Sequence, residues 1–230
     1  FYLFLCAIPL ILVIVLFILS VYKHYQARPD QCNAVFDVQL NPSYQVELNP
    51  VPTMFWNTYF TPKKHTELLL RDFWIASSYR SYQPCGGTND VTSYKTIQNV
   101  LEKGARAIHL DIWSSTPDDF FDPSAEPIVR NKGLMGFVGK ALDLEECCRV
   151  IADQAWNGNK FPLLLYLEFH EPAGKNKYLL AKVAKILYQY FSPRLLPPQY
   201  GFSRIPVGTI PIRLAMGKII FLTNEYPLQS

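Results

Sequence analysis

The chain has 230 residues, 49% of them hydrophobic and 18% charged, with a formal net charge of +3. That length accommodates one sizeable domain plus an appendage. So small a charge, with no basic run, excludes a protein that holds nucleic acid through its phosphates.

Phe1–Tyr22 carries no charged residue, and about 20 apolar residues suffice to cross a hydrocarbon core as a helix. A secretory signal would show a basic start, a shorter apolar run and a small-residue cleavage site. Ser20-Val21-Tyr22-Lys23 is a poor cleavage site. A buried core helix would show a polar face in a domain of this size. The segment therefore reads as one transmembrane helix in contact with a lipid bilayer, in which Pro9 loosens a turn without preventing insertion. Lys23, His24 and Arg28 follow it directly. By the positive-inside tendency the remainder is expected on the cytoplasmic, reducing side of a single-pass membrane protein. Cys6, Cys32, Cys85, Cys147 and Cys148 show no metal-ligand spacing, and reduced thiols fit that side.

Residues 23–67 read as a connector. Pro29, Pro42, Pro50, Pro52 and Pro62 recur through it, and proline removes donors and disfavours helix. Val35–Leu40 and Tyr44–Leu48 alternate like short strands. Phe55, Trp56, Tyr59 and Phe60 have two readings of equal weight: interfacial anchors at the headgroup level, or packing against the following domain.

From Leu68 onward strands and helices alternate. The patterns predict strands at Asp72–Ser77, Ala105–Ile112, Glu126–Val129, Phe161–Phe169 and Gly217–Leu222. Helices are predicted at Thr92–Lys103, stopped by Gly104, from Asp143 to about Trp156 behind a capping box, and at Asn176–Phe191. Phe161–Phe169 is nearly continuous in apolar residues, as in a parallel strand buried on both faces. Alternation of this kind predicts an α/β domain with a parallel sheet. A closed eight-stranded barrel needs about 200–250 residues, so the fold expected over residues 68–230 is an incomplete or half TIM-type barrel. An open sheet edge calls for cover, and neighbouring protein subunits are the expected cover.

The richest stretch is Trp74-Ile75-Ala76-Ser77-Ser78-Tyr79-Arg80-Ser81-Tyr82, followed by Gly104-Ala105-Arg106-Ala107-Ile108-His109-Leu110-Asp111-Ile112-Trp113. Together with Leu165-Tyr166-Leu167-Glu168-Phe169-His170, it resembles the X region of phosphoinositide-specific phospholipase C, over about residues 68–226. The family's Y region, which completes its barrel, has no counterpart in this sequence. The resemblance implies two catalytic histidines and a calcium ion held by asparagine, glutamate, aspartate and a further glutamate. Here the first histidine position is Tyr79. The second, in Glu126-Pro127-Ile128-Val129-Arg130-Asn131, is Asn131. The calcium positions are Arg80, His109, Asp111 and Glu168, with His170 as an auxiliary group. Neither tyrosine nor asparagine shuttles protons at neutral pH, and calcium wants several hard oxygens. The lysines with which the family grips ring phosphates align with Leu222 and Asn224, while Lys218 reads as a strand-start charge.

The reading that follows is a catalytically inactive, membrane-anchored phospholipase C-like domain with no catalytic residue, metal or cofactor. It would act as a structural scaffold in a large assembly, such as an organellar complex or a virion with an internal membrane. Two alternatives are a phosphodiesterase with metal-independent chemistry that uses Arg80 as electrophile, and a lipid-headgroup binding module. Within the former metal pocket, Arg80 is expected to serve as countercharge to Asp111 and Glu168. Its rivals are a solvent-facing Arg80 and a transition-metal site built from His109, Asp111, Glu168 and His170.

Overall fold

The computed structural model describes residues 11–21, 54–56, 68–84, 92–116, 121–133, 136–170, 175–201 and 205–224. The expected strands Val35–Leu40 and Tyr44–Leu48 lie outside these residues, as do residues 1–10 and 22 of the expected membrane span. Residues 11–21 are helical and exposed throughout. Among the described residues, no helix is long and apolar enough to cross a membrane.

In chain order the domain contains β1 (Met54–Trp56), β2 (Phe73–Ile75), β3 (Ser77–Ser78), α1 (Tyr94–Glu102), β4 (Ala107–Ser114), β5 (Pro127–Gly133) and β6 (Gly136–Asp143). There follow α2 (Leu144–Gln154), β7 (Leu163–Phe169), α3 (Lys177–Phe191), the single turn α4 (Ile212–Ala215) and β8 (Ile219–Thr223). The main sheet runs β6-β5-β4-β7-β8, with β3 added beside the start of β4. β1 pairs with β2 in a separate antiparallel ribbon.

The all-parallel sheet expected from the alternation is corrected to a mixed one. β3, β4, β7 and β8 are parallel neighbours, but β5 and β6 form an antiparallel hairpin whose first strand also runs antiparallel to β4. Two residues separate β5 from β6, and a parallel crossover needs a dozen or more. The strand expected at Glu126–Val129 therefore continues to Gly133 and turns back on itself. The long strand expected at Asp72–Ser77 is likewise broken, into a 3-10 turn, β2 and the two-residue β3.

The helices pack on one face of the sheet. Ile108, Leu110 and Ile112 of β4 and Leu163, Leu165, Leu167 and Phe169 of β7 meet apolar side chains of α1, α2 and α3 there. Side chains alternate across a strand, so Leu164, Tyr166 and Glu168 face the other way. They are only half-buried, which corrects the expectation that this strand is buried on both faces. Leu164, Ile220 and Leu222 join a second apolar cluster with Leu68, Leu70 and Ile212. Cys147 and Cys148 are free thiols buried in the main core.

The helix ends are held by polar side chains. Gly104 takes φ 95° just past α1, a conformation that costs glycine little. The Asp143 carboxylate accepts from the Glu146 amide at 3.0 Å and caps α2. At the far end of α2, the fully buried Arg106 donates to the carbonyls of Ala155 and Pro162. Burial pushes its guanidinium down to about 10, so it stays cationic at neutral pH beside the negative end of the helix dipole.

Asn176 performs two tasks at the start of α3. Its Oδ1 accepts from the amides of Tyr178 and Leu179 at 3.0 and 3.1 Å, and its Nδ2 donates to the Asp122 carbonyl at 3.0 Å. Asn176→Ala is expected to cost about 1–2 kcal/mol in urea denaturation, from the lost cap. Asn176→Asp should recover most of it, because the cap acceptor remains; equal losses in the two variants would remove the cap as the cause.

Candidate functional site

The site lies at the carboxyl ends of β3, β4 and β7, and strand register builds it. His109 and Asp111 are two apart on β4 and share a face. Asp111 stands directly opposite Glu168 of β7, and His109 opposite Tyr166. His170 follows one residue after β7, its amide donating to Ile112 at 3.0 Å.

The turn after β3 supplies the remaining groups. It is tied to β4 by a reciprocal pair: the Ser81 amide donates to the His109 carbonyl, and the His109 amide donates to Ser81 Oγ, both at 3.0 Å. Within this turn Arg80 has φ 47°. Left-handed backbone costs a side chain with a Cβ roughly 1–2 kcal/mol, so the surrounding bonds hold Arg80 where it would not settle alone. The conformation points its amide at His109 Nδ1, 3.2 Å away.

Asp111 is the hub. Its Oδ1 lies 2.6 Å from His170 Nε2, and its Oδ2 accepts from the buried Tyr82 hydroxyl at 2.5 Å. Arg80 Nε lies 3.5 Å from the same Oδ2. The Arg80 Nη1 donates to Asn131 Oδ1 at 3.0 Å, so the guanidinium bridges Asp111 and Asn131. Burial pushes the Asp111 carboxyl upward, but hydrogen bonds from His170 and Tyr82 outweigh it, and the group stays below its ordinary value. Burial and the Asp111 charge drive the Tyr82 hydroxyl strongly upward, so Tyr82 remains a donor.

The second carboxylate is engaged as well. Glu168 Oε2 lies 2.9 Å from His109 Nε2. The Tyr79 ring stacks on the His109 ring at 4.7 Å between centroids, yet remains 69% exposed. His170 stacks on Trp113 at 4.2 Å, which fixes its plane.

The structure thus brings together Tyr79, Arg80, His109, Asp111, Asn131, Glu168 and His170 in one network. Lys218, Leu222 and Asn224 take structural roles. Leu222 stands opposite Tyr166 and Asn224 at the carboxyl end of β7, beside this network, whereas Lys218 precedes the start of β8. Lys218 donates to the Pro193 carbonyl, and Leu222 packs in the second apolar cluster. The Asn224 amide exchanges two hydrogen bonds with the Phe169 backbone and seals the end of β7. Sequence reasoning gave Tyr82 and Trp113 no role at the site. A tyrosine that ends the first motif is the one signal that pointed to the former.

Calcium, the ion implied by this kind of site, does not fit these residues. It needs six to eight oxygen ligands. Asp111 and Glu168 are the carboxylates on hand, Asp111 is already committed on both oxygens, and a permanent guanidinium charge lies 3.5 Å from one of them.

Comparison with known proteins agrees with this fold. The family described as phosphatidylinositol-specific phospholipase C, X domain, matches residues 67–223. The chain belongs to that family, and its fold is the family's TIM-barrel-like α/β fold. It is 25% identical over 178 residues to human 1-phosphatidylinositol 4,5-bisphosphate phosphodiesterase beta-2, covering 70% of this chain and 14% of that protein. It is 28% identical over 132 residues to phosphoinositide phospholipase C 7 of Arabidopsis thaliana, covering 57% of this chain and 20% of that protein. The crystal structure of S. officinalis PLC21 matches with a TM-score of 0.53 at 21% identity, over 68% of this chain and 18% of that one. The chain therefore spans a small part of the length of these relatives.

Proposed function

We propose that this is a phospholipase C X domain that has lost calcium-dependent hydrolysis and serves as a membrane-held scaffold. The observation that carries the reading is the position of Arg80, whose guanidinium joins Asp111 to Asn131. One side chain thereby stands among the groups that would handle both the metal and the leaving-group proton. Tyr79 and Asn131 cannot replace the imidazoles of an acid-base pair. Each such loss typically costs about 10²–10⁴ in rate.

The anchoring part of the proposal rests on the uncharged run Phe1–Tyr22 and is supported by the exposure of every side chain in 11–21. Residues 23–67 would then connect the bilayer to the domain on its cytoplasmic side. Neighbouring subunits would cover the outer strands β6 and β8.

The test is hydrolysis of phosphatidylinositol and its phosphorylated forms by the purified full chain, with calcium or with a chelator. The expected result is no turnover above background in either condition. Calcium-dependent turnover would refute the proposal outright. One observation favours a second reading, a metal-independent phosphodiesterase: the Arg80 side chain is 24% exposed, so its guanidinium can meet an anion. Turnover that persists in chelator and disappears in Arg80→Met would establish that reading instead.

A further inference from the structure

His109, Asp111 and Glu168 place donor atoms within 4.8 Å of one another, and mixed imidazole-carboxylate sets suit zinc or manganese. Geometry alone therefore invites a transition metal where calcium does not fit. The hydrogen bonds around the imidazole point the other way.

We infer that Arg80 closes this pocket to divalent metals through two separate groups. Its guanidinium supplies the positive charge, and its main-chain N–H fixes His109 as a hydrogen-bond bridge that cannot serve as a ligand. The inference concerns metal occupancy and holds whether or not the domain turns over a lipid.

An amide can only donate, so the Arg80 N–H aimed at Nδ1 over 3.2 Å requires a lone pair there. A neutral imidazole has one lone pair and one N–H, so the proton sits on Nε2, where it meets Glu168 Oε2 at 2.9 Å. A metal on Nε2 would need the opposite tautomer, with a proton on Nδ1. That proton would face the Arg80 N–H head-on. A metal on Nδ1 would have to displace the same N–H.

The amide cannot turn aside, because the turn around it is pinned. The Ser81 amide bonds the His109 carbonyl, Ser81 Oγ receives the His109 amide, and the Gln83 amide bonds the Arg80 carbonyl at 2.8 Å. His170 presents Nε2 to Asp111 at 2.6 Å, so that nitrogen is already engaged within the pocket. Metal entry at Nε2 would thus break a backbone tie, eject a guanidinium and reverse a tautomer, and entry at Nδ1 would still require the first two.

The left-handed conformation of residue 80 is one that asparagine visits readily. Arg80→Asn should therefore remove the guanidinium and leave the turn in place, while His109→Glu replaces the locked ring with carboxylate oxygens.

The test starts with the wild-type full chain, titrated separately with calcium, zinc and manganese by calorimetry and by thermal unfolding. No saturable one-to-one binding and no saturable shift of the unfolding midpoint are expected. One-to-one binding of any of the three that disappears in Asp111→Asn would overturn the inference. Side-chain nitrogen spectra of the histidines give a second readout: His109 should carry its proton on Nε2, unchanged by added metal. A proton on Nδ1 would overturn the lock. The double variant Arg80→Asn/His109→Glu should gain a saturable, calcium-dependent rise in unfolding midpoint. A folded double variant without that rise would show that these two residues are not what excludes the ion, and the wild-type spectra decide however the double variant folds.

Discussion

Replacing Asp111 with alanine is expected to destabilise the domain by about 3–5 kcal/mol, the range for breaking a buried charged network by removing one partner. The carboxylate is 4% exposed. Without it the Tyr82 hydroxyl loses an acceptor and a nearby guanidinium loses its closest anion. Asp111→Asn, which keeps an acceptor oxygen but not the charge, should fall between wild type and alanine in urea denaturation. A loss below about 1 kcal/mol for alanine, the scale of an exposed ion pair, would mean the network is not a structural hub. The pH dependence follows from the depressed carboxyl. A carboxylate whose native value lies below its unfolded value stabilises fully above the latter and loses that contribution as pH falls through the former. The gap between wild type and Asp111→Asn should thus be constant near neutrality and shrink below about pH 4, the unfolded value for aspartate. A gap that widens below that pH would contradict the sign of the shift.

The elements that were legible in the sequence are those whose periodicity is local. Leu179, Val183 and Ile186 mark α3 at helical spacing, and the predicted start at Asn176 is one residue from the observed Lys177. β4 and β7 were found by their apolar runs, and alternation put His109 and Asp111 on one face, while only the family resemblance placed Glu168 beside them. The second arm of the β5–β6 hairpin was not legible. Its sequence begins Gly136-Phe137-Val138-Gly139 after the polar Arg130-Asn131-Lys132. Two glycines in four residues erase the alternation that marks a strand. The chemistry of the site was legible only as residue types. That Tyr82 would bury its hydroxyl against a residue 29 positions later, or that an arginine amide would choose the tautomer of His109, depends on a left-handed turn that Arg80 gives no reason to expect. Asparagine there would have suggested it.

Restoring the histidines should restore almost nothing. Tyr79→His returns one imidazole to the turn after β3, yet Asn131 still has no proton to give and Arg80 still holds its amide oxygen at 3.0 Å. Tyr79→His/Asn131→His supplies both acid-base groups but removes that acceptor, freeing a guanidinium beside Asp111 rather than a metal. Catalytic groups act together in the transition state, so partial repair of a coupled site recovers far less than the sum of its parts. Calcium-dependent hydrolysis of phosphatidylinositol is therefore expected to remain at background in the single and the double revertant. The first departure is expected only when Arg80→Asn and His109→Glu are added, which return oxygen ligands beside Asp111 and Glu168. Measurable turnover in the single revertant would show that Asn131 does not stand where the second proton-transfer group acts, and that another residue fills that role. His170, already aligned by Asp111 and Trp113, is the group to replace next in that event.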